Sequence, residues 1–257
     1  MSASPKVFIT GASSGIGAAL AAYYAHQGAM LGLCARRLAP TRALFSSLLC
    51  TGSCYQVDVT DAASLRAAAA DFTERFGVPD IVIANAGIST GTLTENPEDL
   101  PAFRRIMDTN VLGMAVTFQP FVAPMRARAS GTLVGIASVA GFRGLPGGGA
   151  YSASKSAAIT YLESLRVELR GSGVAVVTIC PGYIRTPMTT ANRYSMPFMM
   201  DADEAARRFA RVIAERRRFA VIPWQMALAS LVLRHLPRWL YDRLFARAPR
   251  KARGLPP

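Results

Sequence analysis

The sequence has few of the side chains that hold metals or disulfide frameworks, and it lacks a long apolar run. It contains four cysteines and two histidines in 257 residues. Cys50 and Cys54 have no second cysteine or histidine pair at a zinc-binding spacing, so we expect no metal site, and Cys34 and Cys180 lie in apolar runs as small core residues. The uncharged stretch at 219–233 contains a proline and is shorter than the roughly 18 residues of a membrane-spanning helix.

Acidic residues are also scarce, because 16 Asp and Glu stand against 29 Lys and Arg, for a net charge of +13. The excess is uneven: residues 207–257 contain 13 Lys and Arg and two acidic residues, and therefore carry +11 of the total. A basic segment of this kind favours an acidic surface as partner, such as anionic lipid. Its arginines stand among aliphatic side chains and in no nucleic-acid-binding motif, so we expect no nucleic-acid partner.

Apolar runs of four to seven residues alternate with helix-like stretches as far as residue 223. Runs such as Ile81-Val82-Ile83 lack the polar alternation of half-exposed strands and are typical of parallel strands buried on both faces. The pattern predicts a single α/β domain, with a doubly wound parallel sheet of about seven strands and helices on both faces. Residues 100–128 are predicted as one long helix, despite Pro120 and Pro124. We expect residues 1–223 to form the catalytic unit and 224–257 a basic, apolar helical extension of the same domain.

The first predicted strand leads directly into a glycine-rich turn. Residues 10–17 read Thr-Gly-Ala-Ser-Ser-Gly-Ile-Gly and precede an alanine-rich helix. Glycines there permit a tight turn and a close approach of the backbone to a pyrophosphate, which the positive end of the helix then binds. Because the strand begins at Lys6, we expect no secretory signal and a cytoplasmic location, with peripheral association at the inner face of a membrane through the basic extension.

Further motifs follow this turn in order: Asn85-Ala86-Gly87, Asn110, Ser138, Tyr151-x3-Lys155 and Pro181-Gly182. Together with the spacing Thr-Gly-x3-Gly-x-Gly, they resemble the short-chain dehydrogenase/reductase family over about residues 6–223. The resemblance implies a Rossmann-type fold and an enzyme that interconverts carbonyl and alcohol groups with a nicotinamide cofactor. It also implies a homodimer or homotetramer built on the helices near 101–128 and 151–170.

The resemblance assigns catalytic roles to Asn110, Ser138, Tyr151 and Lys155. A free tyrosine titrates near pH ~10, and an ammonium four residues later on the same helix face would lower that value. Ser138 would bind the substrate oxygen beside Tyr151, Lys155 would hold the nicotinamide ribose, and Asn110 would hold a water that relays protons to Lys155; a buried amide paired with backbone is the alternative for Asn110. The implied cofactor-binding residues are Gly11, Ser13, Ser14, Gly15, Ile16, Gly17, Arg36, Arg37, Asp58, Val59, Asn85, Ala86, Gly87, Tyr151, Lys155, Pro181, Gly182, Ile184 and Thr186.

The charge after the second predicted strand indicates which cofactor is used. A carboxylate at this place binds the ribose 2′-hydroxyl of NAD, whereas an arginine favours the 2′-phosphate of NADP. The chain has Arg36 and Arg37 there, so we predict NADP(H), with Arg36 the stronger candidate and a solvated charge as the alternative for Arg37. Asp58 and Val59 resemble the pair that contacts adenine in the family; a helix-capping carboxylate is the alternative for Asp58.

The segment after Gly182 is rich in methionine and aromatic residues, and only Arg185 and Arg193 bring charge before Asp201. Because such side chains adapt to variable apolar ligands, we predict a bulky apolar ketone or alcohol as substrate; packing on the core is the alternative. A 3-oxoacyl thioester reductase and a sensor that binds NADP without catalysis remain as further alternatives. The predicted lid residues are Tyr183, Ile184, Met188, Tyr194, Met196, Phe198, Met199 and Met200.

The extension reads as two helices separated by Pro237. Residues 224–236 are apolar, and residues 238–247 mix arginine with Trp239, Leu240, Leu244 and Phe245. Arginine, tryptophan and leucine in one helix are typical of a segment that lies in a membrane interface. The alternative is an apolar helix that covers the lid or a subunit contact, with a solvated basic end.

Overall fold

The computed structural model describes residues 4–190, 192 and 194–254, and its centre is a seven-stranded parallel sheet. The strand order is β3-β2-β1-β4-β5-β6-β9, so the direction of winding reverses between β1 and β4. Ligands bind at such a reversal, beyond the carboxyl ends of the strands. The doubly wound sheet predicted from the sequence is confirmed. Its strands are β1 (Lys6–Thr10), β2 (Met30–Ala35), β3 (Gly52–Gln56), β4 (Ile81–Ala84), β5 (Gly131–Ile136), β6 (Val174–Pro181) and β9 (Phe219–Ile222).

Helices cover both faces of the sheet because alternate strand residues point to opposite sides. In β1, Val7 and Ile9 belong to the core cluster beneath α1 (Gly15–His26), α2 (Leu38–Ser47) and α8 (Ala202–Ala214). Phe8 points the other way and meets Phe72 edge-on at a centroid distance of 5.5 Å. That second face is covered by α3 (Ala62–Phe76), α5 (Gly113–Ala127) and α6 (Gly149–Glu168).

The long helix predicted over 100–128 is confirmed from Leu100 to Ala127, and it contains a π turn at its centre. Helix α4 (Leu100–Met107) passes into a π turn at Asp108–Leu112 before α5 begins, although Pro120 and Pro124 do lie within α5. A π turn accommodates one more residue than the α-helix and occurs mostly at functional sites. Here it contains Asn110, whose side chain is buried against Ile88.

The remaining elements lie near the carboxyl edge of the sheet and in the C-terminal extension. Two short 3-10 turns occupy Pro97–Asp99 and Val139–Gly141. After β6, the short strands β7 (Ile184–Arg185) and β8 (Met200–Asp201) pair with each other and enclose α7 (Pro187–Thr190). The extension forms α9 (Trp224–His235) and α10 (Arg238–Phe245). Within the described part of the chain, no helix is both long and apolar enough to span a membrane.

Candidate active site

The glycine-rich turn between β1 and α1 has no room for side chains at its key positions. Gly11 and Gly15 have φ values of +69° and +56°, which disfavour other residues. A methyl group at Gly17 would lie 2.2 Å from the carbonyl oxygen of Gly11. Ser14 caps α1 without a side-chain hydrogen bond, so the N–H groups of the first helical turn remain open to an anion. Ser13 and Ile16 are partly exposed in the same turn.

Asn85 fastens this turn to the end of β4. Its amide nitrogen donates to the carbonyl oxygens of Thr10 and Gly11, both at 3.1 Å, and the Thr10 hydroxyl accepts from the Asn85 N–H at 3.3 Å. Ala86 packs so closely that a methyl group at Gly11 would lie 2.7 Å from its Cα. The predicted Asn85-Ala86-Gly87 motif therefore lies directly beside the glycine-rich turn.

The residues predicted to contact the adenosine half follow β2 and β3 at the same edge of the sheet. Arg36 and Arg37 are exposed, and neither has a carboxylate within 4 Å among the described residues. One oxygen of Asp58 accepts from the backbone N–H and hydroxyl of Thr60, at 3.0 and 2.8 Å. Asp58 thus shapes the turn before α3, whereas the helix cap is Asp61. The neighbouring Val59 is buried and packs against Gly113.

Ser138, Tyr151 and Lys155 come together where β5 ends and α6 begins. Lys155 is only 5% exposed, and its ammonium donates to the carbonyl oxygen of Ile136 at 2.8 Å. The same nitrogen lies 5.8 Å from the centroid of the Tyr151 ring. The Ser138 oxygen accepts from the Ala140 N–H at 3.1 Å, which leaves the Ser138 hydroxyl hydrogen free to donate.

Burial shifts the pKa values of this group in ways that the residue spacing does not reveal. Desolvation raises the pKa of the Tyr151 phenol, while hydrogen bonding to Ser138 lowers it in part. The expectation that Lys155 would bring the Tyr151 pKa below its ordinary value is therefore wrong for the protein without cofactor. The reason is that burial of Tyr151 disfavours its own phenolate, and burial also lowers the pKa of Lys155, to about 8.

Asn110 uses most of its hydrogen-bonding capacity within the protein. Its side-chain oxygen accepts from the Ile88 N–H at 2.8 Å, and its amide nitrogen donates to the Ile88 carbonyl and the Ser154 hydroxyl at 3.0 and 2.9 Å. This is the pairing with backbone that the sequence analysis gave as the alternative. These bonds hold the Gly87–Ile88 segment in place, and this segment lies beside Lys155: a methyl group at Gly87 would be 3.6 Å from the lysine nitrogen.

The segment after β6 returns over the glycine-rich turn. Gly182 donates its N–H to Ile222 at 2.8 Å after the buried Pro181, and Thr186 lies so near that a methyl group at Gly15 would be 3.1 Å from its Cγ2. Of the predicted lid residues, Ile184 and Met200 pack in the core, as the alternative reading had it. Arg193 lies outside the described residues. The other lid side chains are exposed or half-buried, and they are Tyr183, Met188, Tyr194, Met196, Phe198 and Met199.

Three residues beside the site were not assigned to it from the sequence. Cys180 is buried as predicted, but it also lies near Lys155, whose charge lowers the Cys180 pKa against the larger effect of burial. Thr10 bonds Asn85, and Ser154 bonds Asn110. Thr10 immediately precedes Gly11 and Ser154 immediately precedes Lys155, so their positions next to recognised motifs were the available signal.

The arrangement brings a glycine-rich turn, a buried lysine, a phenol and a hydroxyl together at one edge of the sheet. Comparisons with known proteins agree with it. A family model described as short chain dehydrogenase matches residues 5–196. An uncharacterized oxidoreductase of Myxococcus xanthus is 40% identical, over 91% of this chain and 93% of its own. A putative ketoacyl reductase of the monensin polyketide synthase, from Streptomyces virginiae, is 33% identical over 80% of each chain.

A solved structure supports the same assignment over nearly the whole length. A short-chain dehydrogenase/reductase from Burkholderia phymatum, in complex with NAD, superposes with a TM-score of 0.82 at 26% identity and covers 98% of both chains. The sequence motifs, the sheet order and the family match all lead to one conclusion. The chain belongs to the short-chain dehydrogenase/reductase family, whose members are oxidoreductases that use a nicotinamide cofactor.

Proposed function

We propose that the protein is an NADPH-dependent reductase of ketones or aldehydes, or the corresponding alcohol dehydrogenase. The observation that carries the proposal is the meeting of Ser138, Tyr151 and Lys155 beside an unobstructed glycine-rich turn. Carbonyl reduction needs a hydride and a proton delivered to one carbon–oxygen bond. These three side chains supply the proton and the polar environment for the oxygen.

In this proposal, the bound nicotinamide cofactor supplies or accepts the hydride. Tyr151 donates its phenolic proton to the substrate oxygen, and Ser138 donates a hydrogen bond to the same oxygen. Lys155 stabilises the resulting phenolate and, with a pKa of about 8, exchanges a proton readily near neutral pH. Asn110 acts as a positioning residue through Ile88, and the remaining acceptor capacity of its side-chain oxygen would hold the relay water.

The turn fits the pyrophosphate of a dinucleotide, because close packing at Gly11 and Gly17 fixes its backbone and the N–H groups at the start of α1 remain open to an anion. We assign Gly11, Gly15, Gly17 and the adjacent Ser13, Ser14 and Ile16 to that group. Asn85-Ala86-Gly87, Pro181-Gly182, Ile184 and Thr186 complete the proposed cofactor site, Ile184 by packing and Thr186 by closing over Gly15. Asp58 and Val59 would adjoin the adenine.

Arg36 and Arg37 support NADPH over NADH as the preferred cofactor. Both guanidinium groups are exposed at the end of β2 and lack carboxylate partners among the described residues, so a dianionic 2′-phosphate would gain two charge-assisted contacts. The NAD in the Burkholderia phymatum structure is a property of that protein.

The deciding experiment follows NADPH oxidation with a panel of aromatic, aliphatic, steroid and acyl-thioester ketones, with NADH in parallel. Tyr151→Phe is the matched variant because it removes only the hydroxyl. Faster turnover with NADPH, and a fall of about 100-fold or more in kcat for Tyr151→Phe, support the proposal. Equal turnover by Tyr151→Phe contradicts the assigned acid. Tight NADPH binding without turnover across the panel favours a non-catalytic sensor instead.

The lid favours a bulky apolar substrate, because Met188 and Phe198 remain exposed while Tyr183 and Tyr194 stack edge-on at 6.4 Å. Burial raises the Tyr151 pKa most, and a smaller contribution from nearby Tyr194 supports a lid that lies beside the reacting group. A 3-oxoacyl thioester is the second candidate, and the related ketoacyl reductase of Streptomyces virginiae supports it. The ratio of kcat/KM for acyl-carrier thioesters and free ketones separates the two candidates.

Exposed apolar side chains on the outer helices favour a second copy of the chain as partner. Leu100, Phe103, Leu112 and Val167 are all exposed on the α4–α6 side of the sheet. Family members typically form oligomers, and we propose a homodimer or homotetramer through this side. Light scattering that gives a monomer mass at micromolar concentration contradicts the proposal.

We also propose that the extension binds an anionic membrane surface. Trp224, Leu228 and Leu231 form an exposed stripe on α9, and Trp239 on α10 is 68% exposed. Arginines of the same two helices are also exposed, including Arg234 on α9 and Arg238 and Arg243 on α10. A symmetric contact between two such surfaces would bring like charges together, which favours lipid over a second copy.

We expect the protein to co-sediment at low salt with phosphatidylserine-containing vesicles and not with phosphatidylcholine vesicles. If it binds neither kind of vesicle, the proposal of membrane binding is refuted.

A further inference from the structure

The chain after α10 folds back onto the catalytic edge of the sheet. Residues 250–254, which we name the strap, run parallel to the loop that follows Asn85-Ala86-Gly87. Gly91 donates its N–H to the Ala252 carbonyl at 2.8 Å, and the Thr90 hydroxyl donates to the carbonyls of Ala252 and Gly254. The basic end of the extension, which the alternative interpretation of the sequence left solvated, is in this part bound to the rest of the protein.

Two basic side chains fix the strap in register. Lys251 donates from its ammonium to the Ser89 hydroxyl at 2.8 Å. Arg253 pairs with Asp99 at 2.8 Å, and the same carboxylate oxygen accepts from the Leu93 N–H, also at 2.8 Å. Because Asp99 is buried, this pair is better shielded from solvent than the exposed ion pairs of the helices.

The loop at 89–92, which binds the strap, is also hydrogen-bonded to the start of α6. Thr92 donates its N–H to the Gly147 carbonyl at 3.0 Å, and its hydroxyl accepts from the Ala150 N–H at 3.4 Å. Ala150 is the residue before Tyr151 in α6. The strap, the loop and residues 147–148 therefore form three adjacent parallel segments that end at the helical turn carrying Tyr151.

The extension holds the opposite end of the 142–148 loop as well. The Arg143 guanidinium donates to the C-terminal carbonyls of α9, among them those of Leu233 and Leu236 at 3.1 Å, and it stacks over the Tyr241 ring at 4.3 Å. The Tyr241 hydroxyl donates to the Gly144 carbonyl. This loop is the segment that separates Ser138 from Tyr151 in the sequence.

We infer that the strap is a positioning element that sets the place of Tyr151 relative to Ser138, acting through Thr90, Gly91 and Thr92. The inference rests on the proposed function, in which these two side chains meet one substrate oxygen. Misplacement of a reacting group by about 1 Å costs on the order of 100-fold in rate, so contacts one layer away can control turnover. The strap residues are assigned no contact with the substrate and act through the intervening loop.

Gly91 offers a selective way to detach the strap. Its backbone conformation is open to any residue, but a methyl group there would lie 2.3 Å from the Lys251 carbonyl oxygen, so Gly91→Ala must displace the strap. The matched control is Gly144→Ala, where the added methyl group meets nothing within 4 Å and the carbonyl that Tyr241 binds is retained.

We expect Gly91→Ala to lower kcat by about tenfold or more, with KM for the ketone and Kd for NADPH changed less than threefold, and Gly144→Ala to behave as wild type. Hydrogen exchange gives a readout that needs no turnover: the amides of residues 147–151 should exchange faster in Gly91→Ala only. Unchanged kcat with unchanged exchange overturns the inference. If wild type itself has no turnover, the proposed function fails, whereas exchange still decides whether the strap holds α6.

Discussion

Leucine and glycine residues have different roles in the β1–turn–α1 unit and in the C-terminal extension with its strap. Leu20 in α1 is fully buried beneath the sheet, whereas Leu231 in α9 is 57% exposed. A side chain at Gly17 in the first unit would meet the Gly11 carbonyl, six positions earlier, whereas a side chain at Gly91 would meet the strap carbonyls of Lys251 and Ala252, about 160 positions later. The requirement for glycine at position 17 thus arises from a contact close in the sequence. The requirement at position 91 arises from contacts with the C-terminal segment, which is distant in the sequence.

The largest effect should follow from adding one methyl group to the glycine-rich turn. Gly17→Ala places Cβ 2.2 Å from the Gly11 carbonyl oxygen, which is backbone, and 2.6 Å from the Asn85 amide nitrogen, which is held by hydrogen bonds to Thr10 and Gly11. We expect a loss of about 3 kcal/mol in the free energy of unfolding and at least about 100-fold in NADPH affinity. Urea unfolding and NADPH fluorescence titration measure the two quantities.

Gly149→Ala is the control for that substitution. It adds the same methyl group at the start of α6, where nothing lies within 4 Å. Its stability should stay within about 0.5 kcal/mol of wild type. Equal losses in the two variants would show that steric crowding does not explain the requirement for glycine at position 17.

The next effect concerns a buried cation of the active site, in contrast to the exposed arginines of the extension. The folded-state pKa of Lys155 is lowered to about 8 by desolvation, so between pH 8 and its unfolded value near ~10.4 the unfolded chain binds more protons than the folded one. The Lys155 contribution to stability therefore rises with pH in that window.

Lys155→Met removes the titration while it keeps the length of the side chain. Without cofactor, wild type should gain about 2 kcal/mol relative to this variant between pH 7.5 and 9.5, measured by urea unfolding. A difference that stays constant or shrinks as the pH rises would mean that the lysine is not desolvated in the folded protein.

A smaller effect is expected where the cofactor site opens to solvent at the end of β2. Removing the Arg36 guanidinium should weaken NADPH binding by about tenfold and leave NADH binding within about twofold, since an exposed charge-assisted contact contributes roughly 1–2 kcal/mol. Arg37→Ala should have a smaller effect. Isothermal titration with both cofactors tests this, and parallel losses for NADPH and NADH would contradict recognition of the 2′-phosphate.

The sequence predicts the parts of this structure that depend on neighbouring residues. The sheet follows from buried apolar runs, and Tyr151 and Lys155 meet because they are one helical turn apart. The π turn around Asn110 was not predicted, and the bond between the Asn110 side chain and Ile88, 22 positions earlier, is likewise not encoded by local spacing.

Burial and long-range contacts could not be inferred from motif spacing. The raised pKa of Tyr151 reflects desolvation by surrounding elements, which no spacing of two residues encodes. The strap likewise depends on Arg253 reaching Asp99, whereas its sequence is indistinguishable from a solvated basic tail. Such a segment becomes recognisable only once the sheet has brought its target loop to the carboxyl edge.

The smallest effect on the free energy of unfolding should come from removing an exposed leucine of the extension. Leu231→Ala removes a side chain that is mostly in water, so the free energy of unfolding should change by less than about 0.5 kcal/mol, whereas Leu20→Ala in α1 should lose about 2–5 kcal/mol.

If α9 lies on a membrane, Leu231→Ala should still reduce partitioning onto phosphatidylserine-containing vesicles by about fivefold or more, since burial of a leucine contributes over 1 kcal/mol. A leucine that is neutral for folding but needed for vesicle binding must be exposed for a reason outside the fold. A substantial loss of stability in Leu231→Ala would instead indicate that another surface, such as a second copy of the chain, covers α9 in solution.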